Sequence, residues 1–107
     1  MQIINSNEEF TLTNTYSGDL TIMQDASFIL RGILTGSLLV KGSANIYGIV
    51  NGNIEISSTG SVSVYGIVNG NIVSDSNDST VLGIVNGTIS PNITVVKGAI
   101  IDGHIAD

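Results

Sequence analysis

Apolar and polar residues alternate along most of this chain, and the alternation resets at a regularly recurring glycine. Six short motifs mark the resets: Ser17-Gly18-Asp19-Leu20, Thr35-Gly36-Ser37-Leu38, Asn51-Gly52-Asn53-Ile54, Asn69-Gly70-Asn71-Ile72, Asn86-Gly87-Thr88-Ile89 and Asp102-Gly103-His104-Ile105. The motif glycines stand at positions 18, 36, 52, 70, 87 and 103, so the steps between them are 18, 16, 18, 17 and 16. Period-two alternation predicts strands with one buried face. Self-similarity at the longer period predicts stacked coils of one solenoid. The expected fold is therefore all-β: a single-domain parallel β-helix (β-solenoid) of about six coils, each of about 16–18 residues.

Numbered from each motif glycine, the columns sort by parity. Two residues after it stand Leu20, Leu38, Ile54, Ile72, Ile89 and Ile105; two before it stand Tyr16, Leu34, Val50, Val68, Val85 and Ile101. Six before it come Leu12, Leu30, Ile46, Val64 and Val81, then Lys97; eight before it come Phe10, Phe28, Ala44, Val62, Ser79 and Val95. These even columns are expected to fill the bore. The column four before holds Asn14, Gly32, Gly48, Gly66, Gly83 and Ala99, small residues where the coil narrows or bends. The odd columns on either side of the glycine are rich in Asn, Ser and Thr, which can bond from coil to coil in ladders.

One odd column is apolar. Three residues before the glycine stand Thr15, Ile33, Ile49, Ile67, Ile84 and Ile100, flanked five before it by Thr13, Arg31, Tyr47, Tyr65, Leu82 and Gly98. Strict parity puts an isoleucine stripe on one outer wall beside Tyr47, Tyr65 and Leu82; a bend between the Ile and Val columns would instead turn both inward. Residues 1–12 are expected as an N-terminal cap or edge and 13–107 as repeat coils. Residues 74–80, with Asp75 and Asp78, are expected as an acidic loop bulging from its coil.

Composition narrows the partners. Lys plus Arg is 3 and Asp plus Glu is 9, so the formal net charge is −6. Nucleic acid and anionic membranes require clustered cations, and neither is expected; a basic protein would be attracted. With no cysteine there is neither a disulfide framework nor a thiolate zinc site. The first residues lack the basic start and apolar run of a signal peptide. No apolar run approaches the length that spans a bilayer, so the expected location is cytoplasmic.

The segment Tyr47-Gly48-Ile49-Val50-Asn51-Gly52-Asn53-Ile54, repeated at Tyr65 to Ile72 and Leu82 to Ile89, resembles the bactofilin (polymer-forming cytoskeletal) domain, as does the closing Lys97-Gly98-Ala99-Ile100-Ile101-Asp102-Gly103. The likeness runs from about Asp19 to Ile105. It implies a right-handed parallel β-helix without catalytic residues, often polymerising end to end. That family usually flanks its solenoid with disordered tails, and this chain is read as a bare, acidic variant.

Catalytic chemistry finds little purchase. The single histidine, His104, cannot supply the three ligands of a solenoid zinc enzyme, and no Ser, His and Asp set can be assembled around it. The uneven step between motif glycines argues against the strict coil of hexapeptide acyltransferases. No catalytic residue, metal or cofactor is expected. Two non-enzymatic readings survive. The first is a small acidic immunity or inhibitor-type protein that neutralises a basic partner such as a bacterial toxin nuclease. Its candidate contacts are Ile33, Tyr47, Ile49, Tyr65, Ile67, Leu82 and Ile84, with Asp75 and Asp78. The second is a bactofilin-like scaffold, self-associating through open solenoid ends.

Overall fold

The computed structural model of the chain describes the backbone of residues 2–105 and the side chains of residues 3–103. It is a β-solenoid of about six coils, and its elements follow the repeat. The first coil carries β1 (Gln2–Ile4), β2 (Glu9–Leu12) and β3 (Thr15–Ser17); the second carries β4 (Leu20–Ile22), β5 (Ser27–Leu30) and β6 (Ile33–Thr35). The third has β7 (Leu38–Val40), β8 (Ser43–Ile46) and β9 (Ile49–Asn51), and the fourth β10 (Ile54–Ile56), β11 (Ser61–Val64) and β12 (Ile67–Val68). In the fifth are β13 (Ile72–Ser74), β14 (Thr80–Val81) and β15 (Ile84–Val85). The last coil holds β16 (Thr94–Val95) and β17 (Ile100–Ile101), and β18 (His104–Ile105) follows.

Like strands stack in parallel and make three faces. The first face runs β1-β4-β7-β10-β13, continued by a bridge from Ile72 to Ile89; the second joins β2, β5, β8, β11, β14 and β16; the third joins β3, β6, β9, β12, β15, β17 and β18. Register follows the glycine columns: Thr15 pairs with Ile33, Ile33 with Ile49, Ile49 with Ile67, Ile67 with Ile84 and Ile84 with Ile100. The even columns form the bore, with Leu20, Leu38, Ile54 and Ile72 buried on one face, Leu34, Val50, Val68 and Val85 on another, and Leu30, Ile46, Val64 and Val81 on the third. Ile4, Ile22, Val40 and Ile56 add a further buried column on the first face.

Two bends position what lies outside. At the corner between the second and third faces one carbonyl takes two N–H groups: Tyr47 N and Gly48 N both donate to Leu30 O at 2.8 and 2.9 Å, and Tyr65 N and Gly66 N to Ile46 O at 2.7 and 2.8 Å. The chain turns there so that a Cβ on Gly66 would lie 2.0 Å from the carbonyl oxygen of Gly48, along the stacking axis. Glycine is required by this close approach. The residues on either side of it, in the Tyr and Ile columns, both lie outside the bore.

The other bend lies at residues 74–80, which do not bulge. Ser74, Ser76 and Ser79 are buried while Asp75, Asn77 and Asp78 face out. Ser74 Oγ donates to Ser76 O at 2.8 Å, Asp78 N donates to Ser76 Oγ at 3.1 Å, and Asn92 Nδ2 bridges the carbonyls of Ser74 and Ser76 at 3.0 and 2.9 Å. A polar segment stays in the stack here because the buried hydroxyls and carbonyls find partners within the corner.

The C-terminus departs from the repeat. Asp102 and Gly103 have φ of 50 and 81°, and Ile101 pairs antiparallel with His104 and Ile100 with Ile105. The sixth glycine motif is therefore a two-residue hairpin turn, the conformation an Asp-Gly pair favours, and not a coil corner. The bore position expected for Ile105 and the outward one expected for His104 concern side chains outside the described residues.

The expected polar ladders are present on the third face and its corner. Asn69 Nδ2 donates to Asn51 Oδ1 and Asn86 Nδ2 to Asn69 Oδ1, each at 2.7 Å. The ladder has a direction: Asn51 only accepts within it, whereas Asn69 both accepts and donates. Asn51→Asp should therefore leave stability unchanged within about 0.5 kcal/mol, while Asn69→Asp, which sets oxygen against oxygen, should cost about 1 kcal/mol. Paired urea titrations of the two variants check this; equal costs would mean that the ladder carries no direction.

Candidate docking wall

The Tyr and Ile columns meet along the bend just described. Tyr47, Tyr65 and Leu82 are 45 %, 46 % and 41 % exposed, and stand one above another. The tyrosine rings stack with centroids 4.8 Å apart and planes 6° from parallel. In-register stacking forces this geometry, since successive coils lie about 4.8 Å apart. The Arg31 guanidinium lies 5.0 Å from the centroid of Tyr47 and extends the stack by one coil. Ile33, Ile49, Ile67, Ile84 and Ile100 are half-buried on the outside of the third face, while their neighbours Leu34, Val50, Val68 and Val85 point into the bore.

At the N-terminal half of this wall lies an open groove of about 670 Å³ that reaches Tyr47, Ile33, Ile49 and Ile67 but not Tyr65, Leu82 or Ile84, with Gly32, Gly48 and Gly66 among its lining. Thr13, Asn14, Thr15 and Arg31 supply its polar groups, all toward the N-terminal end. That volume falls within the range of small-molecule sites, yet the groove is open along its length and its central coils offer no convergent polar groups. Its form suits a protruding row of side chains better than an enclosed ligand.

Seven of the nine candidate contacts come together here: Ile33, Tyr47, Ile49, Tyr65, Ile67, Leu82 and Ile84. Asp75 and Asp78 do not join them; they are exposed at the opposite end of the second face. Arg31 was not among the candidates, although its place directly before Tyr47 in one column was the available signal. A mixed column with exposed apolar residues was also missed. On the outside of the first face Ile3 and Val73 are 50 % and 54 % exposed and Leu39 is half-buried, in one column in which Thr21 and Glu55 stand between them, and a shallow trough there is lined by Asp19, Thr21, Leu39, Asn53 and Glu55.

Among the described residues no three of His, Cys, Asp and Glu converge, and no helix is long and apolar enough to cross a membrane. Comparison with protein families, with curated proteins and with solved structures returned no match for this chain.

Proposed function

We propose that this chain is a non-enzymatic protein-binding solenoid, an acidic inhibitor of the immunity type that neutralises a basic partner such as a bacterial toxin nuclease. The observation that carries the reading is the line of Tyr47, Tyr65 and Leu82, close to half exposed beside the Ile column among the described residues. Aligned apolar surface of this kind marks interaction sites in soluble proteins. An apolar centre is the layout of a specific interface, and the net charge of −6 attracts a cationic partner to the molecule as a whole. Cytoplasmic residence belongs to the same reading.

Under it Tyr65 is an anchor. Tyr65→Ala should weaken binding by about 1–3 kcal/mol, read by calorimetric titration against the basic product of a neighbouring gene. Raising salt should slow association more than it speeds dissociation. Unchanged affinity in the variant would move the contact to Asp75 and Asp78 or to the trough on the first face.

A bactofilin-like scaffold is the second reading, favoured by the N-terminal end. There β1, β2 and β3 each have a neighbour on one side only, and Phe10, Leu12 and Tyr16 are half-buried. The opposite end weighs against simple head-to-tail stacking, because β18 runs antiparallel along the edge that a following coil would need. Particles that lengthen with concentration in light scattering would favour the scaffold.

A further inference from the structure

We infer that Asn51-Gly52 is a self-modification site, at which the chain converts its own asparagine to aspartate or isoaspartate with water as the co-reactant. In an Asn-Gly pair the glycine nitrogen reaches the asparagine Cγ unhindered, because no Cβ stands beside it. This chain has three such pairs in one local sequence: Ile49-Val50-Asn51-Gly52, Ile67-Val68-Asn69-Gly70 and Ile84-Val85-Asn86-Gly87. All three asparagines are exposed to water. Their local sequences match, so a difference between them has to come from the packed coils.

The attacking nitrogen is free at each pair. Gly18 N and Gly36 N donate to Thr35 O and Asn51 O of the next coil, at 2.8 and 3.3 Å, whereas Gly52, Gly70 and Gly87 make no such bond among the described residues. The side chains differ. Asn69 Nδ2 and Asn86 Nδ2 are each held as donors at 2.7 Å, so ammonia leaves either one only by breaking a rung of the ladder. Asn51 Nδ2 donates to no acceptor among the described residues, because the residue in register on the preceding coil is Thr35 and not another asparagine. At the same time Asn51 Oδ1 accepts from Asn69 Nδ2, a donor that steadies the negative charge arising on that oxygen as the glycine nitrogen adds. Of the three, Asn51 combines a polarised carbonyl with an unheld leaving group.

The step balances without an enzyme. Gly52 N gives its proton to solvent and bonds to Asn51 Cγ; the Cγ–Nδ2 bond breaks, ammonia leaves and a five-membered imide closes. Water then opens one or the other imide carbonyl, giving aspartate or isoaspartate. One water enters, one ammonia departs, and nothing is oxidised or reduced. The aspartate product still accepts from Asn69 Nδ2, so the ladder survives. The isoaspartate product adds a main-chain atom at a corner where even a Cβ on Gly52 would stand 2.1 Å from Gly36 O, and it has to open the stack locally. Either product sets a carboxylate beside Ile49, on a face whose outer columns hold none in the first five coils.

The site stands independently of what docks on the wall. Incubation of the purified chain at mildly alkaline pH, followed over time by peptide mapping with fragmentation mass spectrometry, tests it. The amide-to-acid mass gain should appear at Asn51 about tenfold faster than at Asn69 or Asn86, the factor that one held amide hydrogen bond is worth. In guanidinium, with the coils unfolded, the three sites should convert at a common rate. Thr35→Asn, at an exposed position, supplies the missing acceptor and should slow Asn51 to the rate of Asn69, with an unchanged circular dichroism spectrum. Equal rates at the three sites of the folded chain, or no conversion at Asn51, would overturn the inference. An Asn51 rate that Thr35→Asn leaves unchanged would overturn it as well.

Discussion

Gly66→Ala should cost at least about 3 kcal/mol, more than an ordinary overpacking substitution and a substantial share of the roughly 5–15 kcal/mol that holds a typical domain folded. An added Cβ would stand 2.0 Å from the carbonyl oxygen of Gly48, 2.7 Å from that of Tyr47 and 2.8 Å from the Tyr47 carbonyl carbon. All three are backbone atoms, so no side chain can swing away. Relief requires the third and fourth coils to separate, which stretches the bonds from Ile67 N to Gly48 O at 3.0 Å and from Gly66 N to Ile46 O at 2.8 Å. Gly98→Ala is the control. Gly98 has a φ of +98° but nothing within 4 Å of an added Cβ, so that variant should cost only the backbone strain of about 1–3 kcal/mol. Urea unfolding of both variants gives the comparison; an equal loss of stability in the two would show that the coil-to-coil approach at Gly66 is not the constraint.

Phe28→Ala should be the costliest truncation in the bore, about 3–5 kcal/mol. Its side chain is the largest of those fully buried, at 1 % exposure, and its ring lies 6.0 Å from that of Phe10 with planes 15° apart. The rings stack because Phe10 and Phe28 pair in register between β2 and β5. Phe10 lies in the first coil, with a neighbouring strand on one side only, and is half-buried. Phe10→Ala should therefore cost less, about 1–2 kcal/mol, since less apolar area leaves water when the chain folds. Thermal or urea melts of the two variants separate them. A cost at Phe10 equal to that at Phe28 would mean that the N-terminal end is covered in solution, and a concentration-dependent midpoint would identify the cover as another copy.

What was legible in the sequence is what one coil repeats in the next. Stacking puts equivalent residues of successive coils about 4.8 Å apart, so each column is one physical environment sampled five or six times. Leu20, Leu38, Ile54 and Ile72 declare a buried position together, where any one of them alone would say little. The fold, the number of coils, the register and the Asn ladder all follow from that. The column of Ile22, Val40 and Ile56 went unread because parity was followed only two residues past each motif glycine.

Features that break the repeat, or that depend on which way a bend turns, were decided by the tertiary structure. Whether Ile49 and Ile67 face in or out depends on the conformation at Gly48 and Gly66, where the absence of a side chain leaves no pattern to read; the coil-to-coil hydrogen bonds choose outward, and so create the groove. Ser74, Ser76 and Ser79 look like a solvated loop by composition, but partners brought from the next coil, Ser90 and Asn92, let that segment stay in the stack. Asp102-Gly103 looks like one more corner by spacing, yet it turns as a hairpin, with both residues in the left-handed region. By itself the sequence determined the stack, because periodicity records neighbours along the axis; the corners, the wall and the C-terminal cap depend on contacts between residues of unlike column, and those exist only once the coils are packed.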